Sequence, residues 1–378
     1  MPLPALHMIG CFHTKLDDAH AHCAFSGKAR RFPKMMRLAG YHTIVYCNAG
    51  SETEADEQVI MLSNEEFDTH YPKQKPTDFH GSYATIGERG WPLFHSRLCI
   101  GLLNRLKPGD IICHPFGRAH QTLTNIFPHI QQFETGIGYQ DAAFGCWRIF
   151  ESETWRAWHW GRETTPSTDR GTAKSYSFVI PNYFDLDEWP TYSGMYDYVA
   201  YMGRLTPEKG MSTLVEIIRA DAGKTEFRFA GQGDFEGLIQ KPLGDGFSNV
   251  RFAGPITGRD RAAFVGNARC TLMPTEFIEP FGGSGVEAML TSTPLISSNY
   301  GAFVETVEHG VTGYRCNTLA DWLAAIEASK HLDRATVARI ARSKYSLETC
   351  AKMYDAAFRQ IADLSDKGWY SPNSYRIP

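Results

Sequence analysis

The stretch FIEPFGGSGVEAML, residues 277–290, places two glutamates around three glycines. A helix that begins near Gly283 exposes backbone N–H groups in its first turn, and such groups bind anions. Glycines there let a phosphate approach the backbone closely. We expect Glu287 in the first turn and Glu279 just before the glycines, where each carboxylate accepts hydrogen bonds from hydroxyl groups. The stretch therefore predicts a ligand with phosphates in the middle and diols at both ends, as in a nucleotide-sugar.

Two upstream segments carry residues that suit the same ligand. The segment MGRLTPEKG, residues 202–210, offers Arg204 and Lys209 between a predicted strand and a predicted helix. Two cations in one strand-end loop neutralise a diphosphate. The segment FAGQGD, residues 229–234, ends the next predicted strand with two glycines, and a plain tight turn explains that pair as well as ligand binding does.

Predicted strands alternate with predicted helices along the chain. In the first half, ALHMIGCF, GYHTIVYC, IICH and QQFETGIGY are predicted strands, and a helix is predicted from Ala24 to Leu38. The alternation resumes at YVAYMGRL, after the turn-rich segment SFVIPNYFDLDEWPTYSGMYDY, which we interpret as the interdomain connection. Such alternation forms parallel sheets with helices on both faces. The sequence therefore predicts two Rossmann-like domains facing each other across a deep cleft, where ligands bind.

The predicted domain boundaries follow from this alternation. We predict a first domain at residues 1–180 and a second domain at residues 181–345, which contains the predicted nucleotide-sugar site. Residues 346–378 are predicted to form a C-terminal helix and tail that pack back toward the first domain.

The composition fits a protein of two domains, with 378 residues of which 43% are apolar. The sequence contains no run of about 18 apolar residues, so we predict no membrane span. The N-terminus has no basic region or cleavage site typical of a signal peptide, so we predict no signal peptide. Nine cysteines without a CxxC pair indicate reduced thiols in a cytoplasmic protein. Residues 1–181 hold 18 basic and 18 acidic side chains, a balance that does not favour a polyanionic partner.

The sequence resembles family 4 retaining glycosyltransferases, which have GT-B architecture. The resemblance covers about residues 179–315 and rests on GRLTPEKG, FAGQGD, VRFAGPI and an E-x7-E pattern that Glu279 and Glu287 match. It implies that the first domain binds the acceptor and the second binds the nucleotide-sugar donor. It also implies that Glu279 contacts the donor sugar, that Glu287 contacts the ribose, and that Arg204 and Lys209 bind the diphosphate. The donor-binding residues expected on this basis are Gly203, Arg204, Lys209, Gly231, Pro255, Phe281, Gly282, Gly283 and Glu287. The family has bulkier residues where positions 283–285 hold glycine, serine and glycine, which leaves the donor sugar open.

The resemblance also implies a reaction. Family 4 enzymes retain the anomeric configuration, and front-face displacement from a nucleotide-sugar, which we expect to be UDP-linked, suits a site without an evident nucleophile. Positive charge develops on the sugar and negative charge on the leaving diphosphate, and cations and helix amides stabilise the latter. The expected catalytic residues are His13, Arg204, Lys209 and Glu279. We expect no cofactor and no obligatory metal.

Two stretches imitate metal-binding motifs. Asp185 and Asp187 form a DxD pattern, which we interpret as part of the linker because GT-B enzymes hold the diphosphate with cations of their own. The other stretch groups acidic residues and histidines in what we interpret as a solvated loop; its members are Asp17, Asp18, His20 and His22.

The first half offers weaker signals for an acceptor site. His13 and Thr14 follow the first predicted strand and His114 ends another, so all three are expected at the ligand-binding edge. A structural role as buried polar residues is the alternative for both histidines. Gly138 and Tyr139 are further candidates in a loop after a strand. A glycine turn followed by an amphipathic helix explains that region too, with core positions at Trp147, Trp155 and Trp158.

A cluster of basic residues predicts a cationic face on the first helix, formed by Lys28, Arg30, Arg31, Lys34 and Arg37. A solvated helix surface is the simpler interpretation. The sharper one is a phosphate-rich acceptor, for which Lys28 and Arg31 would be acceptor-binding residues.

Three functions stay open at this point. A resemblance to transferases from phage and environmental sequences favours a hydroxymethylated base, 5-hydroxymethylcytosine in phage double-stranded DNA, as the acceptor, which the enzyme would extrude from the duplex. A glycan or lipid-linked sugar is the alternative acceptor. A nucleotide-sugar-binding protein without turnover is the third function. The oligomeric state is left open.

Overall fold

The structure is a computed structural model that describes residues 3–18, 20, 24–71, 85–140, 147–162, 177–192 and 196–366. The chain divides into two compact units. The first unit holds the described residues up to Phe184 and those from Leu347 onward, and the second holds Asp185–Ser346. The predicted tail at residues 367–378 lies outside the described residues.

Each unit is built on one parallel sheet. The first sheet has seven strands in the order β3-β2-β1-β4-β5-β6-β7, and the second has six in the order β10-β9-β8-β11-β12-β13. All neighbouring strands in both sheets are parallel. The strands are β1 Ala5–Ile9, β2 His42–Cys47, β3 Glu57–Ile60, β4 Ile111–His114, β5 Gln131–Ile137, β6 Trp147–Phe150, β7 Ser177–Val179, β8 Tyr198–Met202, β9 Glu226–Ala230, β10 Val250–Phe252, β11 Cys270–Met273, β12 Leu295–Ser298 and β13 Gly313–Cys316.

Helices connect the strands and cover the sheets. They are α1 Ala24–Leu38, α2 Asn64–His70, α3 Trp91–Leu103, α4 Thr122–Ile126, α5 Glu153–Arg162, α6 Met211–Asp221, α7 Lys241–Leu243, α8 Gly258–Gly266, α9 Gly283–Leu290, α10 Phe303–Thr306, α11 Leu319–Ala328, α12 Arg334–Tyr345 and α13 Leu347–Asp366. Parallel strands need a crossover connection, and helices supply most of these connections in both units. The alternation of strands and helices therefore confirms the predicted pair of Rossmann-like α/β units.

The first unit packs a helix layer on each face of its sheet. One face buries Phe32 and Met35 of α1 together with Tyr354 and Phe358 of α13. The opposite face buries residues of α2 and α3, among them Phe94 of α3. The apolar residues of α13 recur at helical spacing, so that one face of this last helix completes the core of the first unit.

One local interpretation for the first unit was wrong. Trp147 was expected in an amphipathic helix but opens strand β6, and the helix begins only at Glu153. Trp155 is buried in that helix as expected, and its ring stacks on Trp158 with centroids 4.4 Å apart. The segment interpreted as the interdomain connection begins with strand β7, which hydrogen-bonds to β6 at the edge of the sheet, and the boundary between the two units after Phe184 lies within this segment.

The second unit buries its own core between α6, α11 and the sheet. Leu214 and Ile218 of α6 pack with Phe227 and Phe229 of β9 and with Trp322 of α11. The carboxyl ends of all six parallel strands lie at one edge of this sheet, and loops at that edge form ligand sites in such folds.

Among the described residues, we find no helix with the length and apolar character that crossing a bilayer requires.

Candidate functional site

The loop after β8 presents Arg204 at the carboxyl edge of the second sheet. The Tyr201 hydroxyl donates a hydrogen bond of 2.6 Å to the Arg204 carbonyl oxygen. Burial raises the pKa of Tyr201, so this phenol stays protonated and keeps donating. The backbone of the loop is therefore fixed, while the Arg204 side chain is exposed.

The two glycines after β9 allow two loops to pack closely. A Cβ at Gly231 would lie 1.8 Å from the carbonyl oxygen of Gly203, and a Cβ at Gly233 would lie 2.3 Å from that of Leu205. Backbone hydrogen bonds join the same loops, from Gly203 N to Ala230 O at 3.0 Å and from Leu205 N to Gln232 O at 2.7 Å. Close packing thus explains this glycine pair, and a donor contact at Gly231 stays a prediction.

Lys209 and Glu279 meet in a direct ion pair. The Lys209 Nζ atom donates to Glu279 Oε2 at 2.7 Å and lies 4.6 Å from the centre of the Phe277 ring. The side chains of Lys209 and Glu279 are only 13% and 11% exposed, so water screens their attraction weakly. An ammonium group has three donors, so Lys209 can bind a phosphate oxygen while it keeps its bond to Glu279.

Helix α9 begins at Gly283, as the glycine-rich stretch predicted. Gly282 caps the helix with a φ of +81°, and the N–H of Gly285 donates to its carbonyl oxygen at 3.0 Å. A Cβ at Gly283 would meet no atom within 4 Å, so a ligand has room beside the first-turn amides. The Phe281 side chain is buried, edge-on to Tyr345 at 5.5 Å, so a ligand contact at Phe281 would have to use its backbone.

Glu287 lies one turn further along α9 than expected. It is the fifth residue of the helix rather than a first-turn residue, because the helix starts at Gly283. Its carboxylate Oε2 accepts a hydrogen bond from the guanidinium of Arg261 in α8. The Arg261 guanidinium in turn lies 5.8 Å from the centre of the Trp189 ring.

Sequence reasoning missed Arg261. Nothing in the segment GRDRAAFVG distinguishes Arg261 from Arg259, which is exposed on the same helix. The signal appears only when the fold brings α8 beside α9. The structure thus gives Glu287 a cationic partner that holds its carboxylate in place.

The predicted donor-binding residues lie at the same edge of the second sheet, in loops and in helix α9. Gly203 and Arg204 follow β8, Gly231 follows β9, and the exposed Pro255 follows β10. Direct contacts link these loops: Gly231 N donates to Gly254 O at 2.9 Å, and Lys209 reaches Glu279 after β11. The set therefore forms one candidate site for an anion with hydroxyl groups on either side.

The three polar candidates of the first unit are buried. The His13 ring lies 4.9 Å from the ring of Phe116, and Thr14 Oγ1 is 2.6 Å from Ser26 Oγ. His114 is fully buried, with its Nε2 atom 2.8 Å from Gln132 Oε1. Burial lowers the pKa of His114 to about 4, so its ring is neutral near pH 7. A role for these residues in catalysis or acceptor binding stays a prediction.

Lys28 does not belong to a solvated cationic face. It is buried, and its Nζ atom donates to Glu151 Oε1 at 2.6 Å and to the Gly136 carbonyl oxygen at 2.7 Å. Gly138 packs against the same carboxylate, since a Cβ there would lie 2.2 Å from Glu151 Oε2. Lys28 is therefore committed to an internal ion pair, and the prediction that it grips phosphates from a helix surface was wrong.

The other cations of α1 also have acidic or aromatic partners. Lys34 pairs with Glu54 at 3.1 Å and Arg37 with Asp56 at 3.0 Å. Further contacts join Arg30 to Asp18 and place the Arg31 guanidinium 5.4 Å from the Phe184 ring centre. The predicted cationic face is thus largely neutralised, because loops after β1 and β2 bring carboxylates to it.

The described residues hold no group of three or more histidine, cysteine, aspartate or glutamate side chains arranged to bind a metal. In the acidic loop, the His20 Nδ1 atom is 2.6 Å from Asp17 Oδ1, and His22 lies outside the described residues.

Comparison with known proteins shows that the second unit is similar to a described family. Residues 196–329 match the family described as glycosyl transferases group 1. This match confirms the resemblance to glycosyltransferases that the E-x7-E pattern indicated.

Curated relatives match only part of the chain. A glycogen synthase of Mycobacterium tuberculosis is 31% identical over 149 residues, which cover 36% of this chain and 35% of the relative. A 2-deoxystreptamine N-acetyl-D-glucosaminyltransferase of Niallia circulans is 29% identical over 30% of each chain. A phosphatidyl-myo-inositol mannosyltransferase of Mycobacterium leprae is 26% identical over 50% of this chain and 54% of the relative. The alignments thus span between about a third and a half of these relatives.

Solved structures match over nearly the whole chain. AviGT4, a glycosyltransferase involved in avilamycin A biosynthesis, superposes with a TM-score of 0.65 at 14% identity, over 95% of this chain and 98% of its own. Anabaena HepE in complex with UDP and glucose superposes with a TM-score of 0.64 at 15% identity, over 94% and 99%. At this identity the likeness establishes the GT-B fold alone.

Proposed function

We propose that the protein transfers a sugar from a nucleoside diphosphate-sugar, UDP-linked in our proposal, to an acceptor hydroxyl with retention of anomeric configuration. The observation that carries this proposal is the Lys209–Glu279 pair at the carboxyl edge of the second sheet, beside the N-terminus of α9. A cation, a carboxylate and exposed amides together suit a sugar diphosphate. The complex of Anabaena HepE with UDP and glucose supports this choice of ligand.

In the proposed mechanism, charge separates between sugar and diphosphate. Arg204, Lys209 and the first-turn amides of α9 stabilise the negative charge on the leaving diphosphate. Glu279 accepts hydrogen bonds from sugar hydroxyls, and Glu287 accepts them from the ribose. The acceptor oxygen bonds to the anomeric carbon on the face that the phosphate leaves, and a phosphate oxygen takes the acceptor proton. These steps need neither a metal nor a protein nucleophile.

The role of Glu279 is tested by the variant Glu279→Gln. The amide fills the same volume but loses the charge that holds Lys209, so the sugar and diphosphate are less well positioned. We expect hydrolysis of the donor in the absence of an acceptor to fall on the order of 10²-fold, while UDP still binds. Hydrolysis of a panel of UDP-sugars and calorimetric titration with UDP measure the two effects.

Glu276→Gln is the matched control for this test. Glu276 lies in the same loop, where its Oε1 accepts a hydrogen bond of 2.7 Å from Ser212 Oγ, and its loss should leave hydrolysis within about twofold. Unchanged turnover in Glu279→Gln would refute the assigned role. A wild-type protein that binds UDP-sugars but turns none over would instead be a nucleotide-sugar-binding protein.

The pairing of Arg261 with Glu287 predicts a separate effect on nucleotide affinity. In Arg261→Gln the Glu287 carboxylate loses its charged partner and is no longer held for the ribose. We expect the dissociation constant of UDP to rise about tenfold, equivalent to about 1.4 kcal/mol. Titration calorimetry measures it, and Arg259→Gln serves as the control because Arg259 is exposed on the same helix. Equal changes in both variants would contradict a specific role for Arg261.

Two kinds of acceptor are considered for the proposed reaction. A hydroxymethylated base in phage DNA stays a prediction, and one of its supports is weakened because the α1 cations have partners within the first unit. A glycan or lipid-linked sugar is the other candidate acceptor. Incubation of the protein and UDP-sugars with hydroxymethylated DNA, unmodified DNA and glycans tests both, with the added sugar mass as the readout. If only glycans gain mass, hydroxymethylated DNA is excluded as the acceptor.

A further inference from the structure

Three aromatic rings form a cluster at the carboxyl edge of the first sheet, and we call Phe25, Phe116 and Tyr139 the aromatic platform. The ring centre of Phe25 lies 4.6 Å from that of Phe116 and 5.1 Å from that of Tyr139. All three side chains are half-buried. The platform therefore offers apolar ring surface that is partly open to solvent.

The three rings come from separate elements. Phe25 lies in the first turn of α1, Phe116 lies two residues after β4, and Tyr139 lies two residues after β5. The connections after parallel strands are where such folds bind their ligands. The position of the platform thus matches a substrate surface rather than an accidental apolar patch.

Charges beside the platform are neutralised within the protein. The Lys28 ammonium lies 5.5 Å from the ring centre of Phe25 and 5.8 Å from that of Tyr139, and it is paired with Glu151. The Tyr139 hydroxyl donates to Glu134 Oε1 at 3.2 Å. A ligand on these rings therefore meets aromatic carbon and a polar edge rather than an unpaired charge.

We propose that the aromatic platform binds the acceptor and that this acceptor is a neutral pyranose of a glycan. The inference rests on the proposed glycosyltransferase activity. The face of an aromatic ring carries partial negative charge, so it attracts the C–H groups on one face of a pyranose. The polar edge at Tyr139 suits the hydroxyl groups around the sugar ring.

The charges of the first unit favour a sugar over DNA. A duplex carries one negative charge for about every 1.7 Å of its axis, and proteins that bind it neutralise several phosphates with lysine and arginine. Here Lys28, Lys34 and Arg37 are each paired with a carboxylate. An uncharged sugar needs no such cations, which fits the balance of 18 basic and 18 acidic side chains in residues 1–181.

The variants Phe25→Leu and Phe25→Tyr test the platform in the full chain. Leucine keeps an apolar side chain but removes the ring, whereas tyrosine keeps the ring. The acceptors are methyl glycosides of glucose, galactose, mannose and N-acetylglucosamine, and the donor is whichever UDP-sugar the protein hydrolyses. We expect the acceptor KM to rise about tenfold in Phe25→Leu and to stay within about twofold in Phe25→Tyr. Donor hydrolysis without acceptor should be unchanged in both, because the proposed donor site lies in the second unit. The melting temperature should be unchanged in Phe25→Tyr and should fall by a few degrees at most in Phe25→Leu, which loses the ring contacts with Phe116 and Tyr139.

Tyr196→Leu is the control for losing an exposed ring elsewhere, since Tyr196 is 60% exposed in the second unit. If donor is hydrolysed but no glycoside accepts sugar, or if only hydroxymethylated DNA does, the platform proposal is overturned and the proposed function stands. If no donor is hydrolysed, the proposed function fails. Saturation-transfer NMR with the same glycosides then still tests the platform, which requires a signal that weakens in Phe25→Leu and survives in Phe25→Tyr.

Discussion

Replacing Lys209 by alanine is expected to lower kcat/KM for donor hydrolysis by about 10²–10³-fold. The substitution removes a cation that is only 13% exposed and so is weakly screened by water. It also leaves the Glu279 carboxylate without this partner, so that its charge repels the diphosphate it should help to position. Steady-state hydrolysis of UDP-sugars measures the loss.

Two further variants make this result specific to Lys209. Lys241→Ala removes an exposed lysine of the same unit, whose Nζ lies 3.0 Å from Glu236, and it should leave the rate within about twofold. Lys209→Arg keeps the charge but replaces a compact ammonium by a planar guanidinium, so partial activity is expected. A rate for Lys209→Ala close to that of Lys241→Ala would contradict the proposed diphosphate contact.

The positions of the candidate donor-binding residues in the fold were predictable because these residues lie in local motifs. A strand followed by glycine and a cation, or by glycines and a helix, places those residues at the carboxyl edge of a parallel sheet whatever the rest of the chain does. That geometry brings Lys209 and Glu279 to the same edge of the sheet, but the ion pair between them, across 70 residues of sequence, was not predicted. The start of α9 at Gly283 was predictable for the same reason.

Sequence patterns could not predict ion pairs between side chains that are far apart in the sequence. Helical spacing places Lys28 among the cations of α1, but it does not reveal that a carboxylate 123 residues away meets Lys28 inside the first unit. Arg261 presents the same difficulty, because only the packing of α8 on α9 distinguishes it from Arg259. Charged residues in helices thus need tertiary contacts before they can be assigned to a surface or to the interior.

Short strands were the other source of error. Strand β6 has four residues and strand β7 has three, too few for periodicity to distinguish a strand from a turn or from the start of a helix. Their place in the sheet is fixed by neighbours, since Glu134 of β5 pairs with Arg148 of β6, and Arg148 pairs with Ser177 of β7. Tertiary pairing therefore decided elements that local sequence left ambiguous.

Replacing Lys28 by methionine is expected to destabilise the protein by about 3–5 kcal/mol. Methionine fills similar space but leaves the Glu151 carboxylate buried without its charged partner, and both side chains of this pair are only 6% exposed. Urea unfolding of the full chain, followed by tryptophan fluorescence, measures the change in the free energy of unfolding.

The double variant Lys28→Met with Glu151→Leu separates the buried charge from the general effect of mutation. Removing both charges should recover much of the loss, because the pair repays its desolvation only in part. Some cost should persist, since the Gly136 carbonyl oxygen also loses its hydrogen bond from Lys28. Lys34→Met is the matched control on the same helix, where the partner Glu54 is 60% exposed, and it should cost about 1 kcal/mol or less. If Lys28→Met is no less stable than Lys34→Met, water reaches the Lys28–Glu151 pair. That result would contradict the assignment of Lys28 to a buried ion pair.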